Sequence, residues 1–172
     1  TDTYFLFNRP GTAIWYKSPS NGVTPFSALD FDSKTGSSDL LATLVVVRRE
    51  VWLLGTLTSE VWFNKGTAGF PYDALPNAFI EFGCIAKYSA AVHDLSVFWL
   101  SQDRTGQSIV LEGTNYEAKR ISTHAIEKEF SSYSTLSDAI GFIYQQEGHT
   151  YYVLTFPTAN RTWVYDKSIA LW

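Results

Sequence analysis

Four times along the chain, a small or polar residue is followed by four large apolar residues and then by another small or polar one. The segments Thr3-Tyr-Phe-Leu-Phe-Asn8, Glu50-Val-Trp-Leu-Leu-Gly55, Ser96-Val-Phe-Trp-Leu-Ser101 and Thr150-Tyr-Tyr-Val-Leu-Thr155 begin 47, 46 and 54 residues apart. After a short polar linker each is followed by a second run: Thr12 to Tyr16, Glu60 to Asn64, Ser108 to Glu112 and Thr162 to Asp166. Three linkers carry turn residues, Arg9-Pro10-Gly11, Asp103-Arg-Thr-Gly106 and Pro157-Thr-Ala-Asn160, and only Thr56 to Ser59 lacks Gly or Pro, so the pairs read as hairpins. A third run precedes three of the hairpins, at Ala42 to Arg49, Tyr88 to Asp94 and Asp138 to Gln146. A less regular fourth strand is expected at Ser27 to Phe31, Asn77 to Phe82 and Ala118 to Ser122.

Four strands in 46 to 54 residues is the spacing of a β-propeller blade. A blade strand is covered on both faces, which explains runs such as Val-Trp-Leu-Leu where a half-exposed strand would alternate. The expectation is an all-β, propeller-like segment of three to four four-stranded blades, near 1–41, 42–87, 88–137 and 138–172 of a single domain. A β-sandwich is the alternative, although its turns recur every 8–12 residues without the longer period. One short helix is predicted at His124 to Phe130, capped by Ser122 or Thr123. The third place of the aligned runs puts Trp52, Phe98 and Tyr152 at equivalent core positions, and the expected structural core is Phe5, Trp52, Trp62, Phe98, Trp99, Tyr152 and Trp163.

Composition supports this picture. Of 172 residues, 45% are hydrophobic, 16% aromatic and only 17% charged, which argues against disorder and against an extended coiled coil. Apolar stretches are far shorter than the ~20 residues that span a bilayer. The chain opens at Thr1 without a basic-then-apolar leader and reads as a segment excised from a longer protein. The lone Cys84 makes no internal disulfide, reads as a small buried apolar side chain, and fits folding in a reducing cytoplasm. A net charge of −4 is the reverse of the basic footprint that neutralises phosphates, so direct sequence-specific nucleic-acid binding is not expected.

Candidate chemistry is sparse. His93, His124 and His149 have no metal-ligand spacing and read as polar groups at turns or strand ends. Asp30, Asp32, Asp94, Glu147, Arg120 and Arg161 are the residues a glycan-cleaving propeller would draw on. Ser101-Gln-Asp103-Arg-Thr-Gly106-Gln-Ser108 approaches a sialidase Asp-box but has one residue too many between Asp103 and Gly106 and lacks the closing Thr-Trp, so it reads as a turn. Asn160-Arg-Thr162 matches a glycosylation acceptor and also reads as a turn. Five of the six tryptophans lie in the repeating strands, which favours burial over a sugar platform. No catalytic, cofactor or metal residue is assigned.

Longer motifs add a resemblance. Tyr4-Phe-Leu-Phe-Asn-Arg-Pro-Gly-Thr12, Ala28-Leu-Asp-Phe31, Thr58-Ser-Glu-Val-Trp62, Phe79-Ile-Glu-Phe-Gly-Cys-Ile-Ala86, Arg120-Ile-Ser-Thr-His-Ala-Ile-Glu127, Tyr144-Gln-Gln-Glu-Gly-His-Thr150 and Thr155-Phe-Pro occur in order over nearly the whole chain. Together they resemble the packaged-DNA stabilisation proteins of short-tailed bacteriophages, also described as tail hub or tail accessory factors. Members of that family are longer, and this chain is similar to a central slice. The resemblance implies a structural virion protein, from a free phage or a prophage, assembled in the host cytoplasm. It would dock below the portal and its adaptor ring, close the channel, retain DNA, and carry tail needle and tailspike proteins. Loops such as Lys65 to Tyr72 and Ser131 to Ser137 would meet the adaptor side. Uncovered edges of an isolated slice would favour self-association. The alternative function is a carbohydrate-binding or glycan-degrading propeller, separable by a concave cluster of carboxylates with perturbed pKa values.

Overall fold

A computed structural model describes residues 1–172 as two compact units, Thr1–Gly83 and Cys84–Trp172. The first holds two antiparallel sheets whose strands run in chain order. Sheet 1 is β1 (Leu6–Asn8), β2 (Ile14–Lys17) and β3 (Phe31–Ser33), and sheet 2 is β4 (Leu41–Val47), β5 (Glu50–Gly55), β6 (Ser59–Asn64) and β7 (Tyr72–Ile80). The core of this unit joins the two sheets through Trp15, Leu41, Val51, Leu53, Trp62 and Tyr72. Trp15 meets Trp62 edge-on at 5.5 Å and Phe70 at 5.0 Å, the geometry that aromatic quadrupoles favour. β7 begins five residues before the expected Asn77, and an irregular register between Glu60 and Trp62 absorbs the extra length. β3 starts where the predicted Ser27 to Phe31 strand should end, because Ser18 to Asp30 form a long loop.

The second unit repeats the meander. Sheet 3 is β8 (Ala91–His93), β9 (Ser96–Gln102), β10 (Ser108–Thr114) and β11 (Glu117–Arg120), and sheet 4 is β12 (Ile140–Gln146), β13 (His149–Phe156) and β14 (Arg161–Asp166). Between them α1 (His124–Phe130) turns Ile126 and Phe130 into a core with Phe98, Leu100, Val110, Tyr152, Leu154 and Phe156. Thr123 is the N-cap in extended conformation without a side-chain cap bond, while the Ser122 hydroxyl donates to Glu127 at 2.6 Å. Gly141 on β12 is required by close approach, since a Cβ there would overlap the Ser89 carbonyl.

Turns define the repeat more sharply than the apolar runs. Arg48, Asp94 and Glu147 have φ of 55°, 52° and 52°, each opening a two-residue turn that closes the pairs Val47↔Glu50, His93↔Ser96 and Gln146↔His149. Asp2 and Thr3, at φ 48° and 72°, occupy the same place before β1. Asp2-Thr3 and Glu147-Gly148 are left-handed at both central residues, the signature of the tight hairpin turn whose twist matches that of strands, whereas the other two turns are left-handed only at Arg48 and Asp94. The positions 2, 48, 94 and 147 lie 46, 46 and 53 residues apart.

This register corrects the alignment of apolar runs at the first and last copies. Tyr4, Glu50, Ser96 and His149 each stand two residues after the left-handed position, so Trp52 and Phe98 correspond to Leu6 and Tyr151, one residue before or after Phe5 and Tyr152. A one-residue slip sends a side chain to the opposite face of its sheet. Trp52, Trp62, Phe98, Trp99 and Tyr152 are all buried, and Trp163 is partly buried with its indole N–H donated to the Tyr133 hydroxyl at 3.0 Å. Phe5 is not a core residue. It is 56% exposed, because it lies on the face of sheet 1 opposite Trp15, and that face is uncovered.

Candidate functional site

Two sheet faces carry exposed apolar side chains. On sheet 1, cross-strand partners Phe7, Tyr16 and Phe31 share one face with Phe5, and Phe26 from the long loop meets Phe7 edge-on at 5.7 Å. Phe7, Tyr16, Phe26, Ser27 and Ala28 line an apolar groove there, with Leu29 80% exposed on the same loop. On sheet 4, Ile140, Phe142 and Tyr144 alternate outward along β12, opposite Thr155, Val153 and Tyr151 of β13, with Val164 of β14 beyond. The rings form a ladder: Phe142 to Tyr144 at 6.4 Å, Tyr144 to Tyr151 at 5.0 Å, and Tyr151 to His149 at 5.8 Å. Contiguous apolar patches of this kind mark interaction surfaces.

The titratable residues are dispersed into separate structural roles. Asp30 pairs with Lys17 at 2.9 Å, and Asp32 accepts the Ser33 N–H. Asp94 and Glu147 hold left-handed turn positions, and Arg161 reaches only the adjacent Asn160 carbonyl. Asp103 accepts from the Thr105 N–H, the Thr105 hydroxyl and the Gln107 N–H. The Thr105 hydroxyl and those amides hold its carboxyl below the usual range, which is the work of a turn-forming carboxylate. Arg120 makes a two-point ion pair with the buried Glu127, which raises the guanidinium pKa further. His124 approaches Glu127 from solvent at 3.5 Å. His93 bridges Asp94 and the Thr150 hydroxyl, and His149 pairs with Asp166 at 2.5 Å. Burial opposes ionisation of Asp166, but the bond to His149 and the Ser168 amide outweigh it and lower its pKa. No three His, Cys, Asp or Glu side chains converge as a metal cage. No helix is long and apolar enough to cross a membrane.

Two buried networks escape sequence reasoning. Lys34 and Asp39 form an ion pair with side chains almost wholly out of solvent. The same carboxylate accepts from the Thr58 hydroxyl at 2.8 Å and from the Leu57 and Thr58 amides. Burial alone would raise the Asp39 pKa, but the Lys34 ammonium and these donors hold it well below the normal range. Gly55 is required beside this network, because a Cβ there would collide with the Asp39 carboxylate and the Thr58 carbonyl. Glu60, within the apolar strand β6, accepts the Thr35 and Gly36 amides at 2.8 and 3.0 Å. Glu60 and the neighbouring Ser59 are buried polar residues that open a strand otherwise dominated by large apolar side chains. Cys84 is buried, donates to the Ala86 carbonyl at 3.1 Å, and burial pushes its thiol up to about 11.

The loops expected at an adaptor side differ in character. Lys65 pairs with Asp73 across the first, which carries left-handed Gly66 and Gly69 and ends at the buried Tyr72. Tyr133 fastens the second by packing on Phe156 at 5.1 Å.

Compared with known families, residues 1–170 match the model described as Bacteriophage P22 Gp10, beta-propeller. No curated protein matches the chain.

Proposed function

Because the chain belongs to the bacteriophage P22 Gp10 β-propeller family, and is therefore a structural phage protein of the DNA-stabilisation type, we propose that it acts as a tail hub. In this role it sits below the portal and its adaptor ring, closes the channel after packaging, and carries needle and tailspike proteins. The observation that carries the reading is the match over residues 1–170, which leaves only two residues outside it. Structure and charge support it. The family is structural, and the carboxylates and arginines that a glycosidase would converge are instead distributed among separate turns and ion pairs.

A plug retains DNA by steric closure and needs no phosphate contacts, which suits a net charge of −4. The uncovered apolar faces on sheets 1 and 4 suit a component that lives within an assembly. Assembly in the host cytoplasm follows from this role. A particle map with the polypeptide placed, together with particles assembled without it, tests the proposal. The expected result is density at the tail vertex and loss of DNA from filled heads when it is missing. Density elsewhere, or stable DNA retention without it, overturns the proposal.

A further inference from the structure

Of the six asparagines, only Asn21 is followed by glycine. Asn8, Asn64, Asn77, Asn115 and Asn160 precede residues whose Cβ crowds the next backbone nitrogen, whereas Gly22 has none. A left-handed backbone does not single Asn21 out, since its φ of 55° is shared in sign by Asn77, Asn115 and Asn160. What distinguishes it is access. Asn21 is exposed in the long loop between β2 and β3, and its side-chain amide meets the Ser20 hydroxyl at a weak 3.4 Å. The Gly22 N–H donates to the Pro19 carbonyl at 3.3 Å, beyond the usual range, so little holds that nitrogen in place.

We propose that Asn21 is a site of spontaneous deamidation in the folded protein, with the Gly22 backbone nitrogen as nucleophile. Hydroxide takes the Gly22 amide proton and becomes water. The nitrogen bonds to the Asn21 side-chain carbonyl carbon, and the tetrahedral adduct expels the side-chain nitrogen as ammonia, which takes its third hydrogen from water and returns the hydroxide. Water then opens the resulting succinimide. Breaking the new C–N bond leaves aspartate, and breaking the original peptide C–N bond leaves isoaspartate. Nothing is oxidised or reduced, and the balance is one water gained for one ammonia lost.

The product alters the loop at a defined place. Residues before Gly22 are fastened to the first turn and to β1: the Ser18 hydroxyl accepts the Phe5 N–H at 2.9 Å, the Ser20 and Thr3 hydroxyls meet at 2.8 Å, and the Asn21 N–H donates to the Thr3 carbonyl at 2.9 Å. Phe26, which packs on Phe7, lies beyond it. Aspartate adds a negative charge at this junction, and isoaspartate adds a methylene to the main chain there. The site does not depend on the tail-hub role.

Ageing the folded protein at mildly alkaline pH, followed by tryptic mass mapping, tests the proposal. Cleavage after Lys17 and Lys34 releases Ser18 to Lys34, in which Asn21 is the one amide side chain. That peptide should gain about 1 Da, or about 3 Da in water labelled with oxygen-18, and should become a substrate for isoaspartyl methyltransferase. Peptides holding the other asparagines should stay unchanged over the same time. In Gly22→Ala the gain should slow at least about ten-fold. This variant keeps the fold, because a Cβ at Gly22 meets nothing closer than 3.9 Å. Equal rates in Gly22→Ala, deamidation spread over the other asparagines, or conversion of Ser18 to Lys34 only after unfolding in urea overturns the proposal.

Discussion

Replacing each of two adjacent tyrosines by alanine tests the repeat register directly, because Tyr151 and Tyr152 lie on opposite faces of β13. Tyr152 is 1% exposed, stacks on Phe98 at 5.2 Å, and donates its hydroxyl to the Ser89 carbonyl at 2.8 Å. Removing a buried aromatic side chain costs about 3–5 kcal/mol through lost transfer energy and residual cavity. Tyr152→Phe keeps the ring and should cost about 1 kcal/mol, the net value of one buried hydrogen bond. Tyr151 lies on the exposed ladder face, where its contacts are Tyr144 and His149, and Tyr151→Ala should cost on the order of 1 kcal/mol. Urea unfolding of the three variants gives the comparison through midpoint shifts at constant slope. A Tyr151→Ala variant as destabilised as Tyr152→Ala would refute the face assignment and with it the register set by positions 2, 48, 94 and 147.

Further outcomes follow from the buried networks and exposed faces. Asp39→Asn should lose about 3–5 kcal/mol in the same unfolding assay, because it strands the Lys34 ammonium in the interior. The Asp39 pKa is lower folded than unfolded, so its stabilisation is complete above the unfolded value of about 4 and is lost as pH falls below it. Thermal midpoints should therefore drop in acid, and less steeply in Asp39→Asn. Gly55→Ala should cost about 1–3 kcal/mol by overpacking against Asp39 and Thr58, visible as a lowered midpoint. Cys84 should resist thiol reagents at neutral pH until denaturant is added, since its raised pKa and burial suppress the thiolate; rapid native labelling would contradict the structure. The polypeptide should self-associate in light scattering, and Phe142→Thr, on the uncovered face of sheet 4, should weaken the association.

The strand pattern and the family were legible along the chain because both are carried by local signals. Runs of four apolar residues, the linkers at Arg9-Pro10-Gly11 and Asp103 to Gly106, and the helix at His124 to Phe130 all report backbone preferences that neighbours in sequence can express. The register at the two ends was not legible. The turns there are Asp2-Thr3 and Glu147-Gly148, and only a backbone can show that Thr3 has a positive φ, which β-branched residues seldom adopt. Nor could the chain say that Phe5 is exposed while Trp52 is buried. Local pattern chooses the face of a sheet on which a side chain stands, and burial depends on whether another layer covers that face. The Lys34–Asp39–Thr58 network belongs wholly to tertiary structure, because its members lie 5 and 19 residues apart and meet only when the loop after β3 folds against the β5–β6 turn.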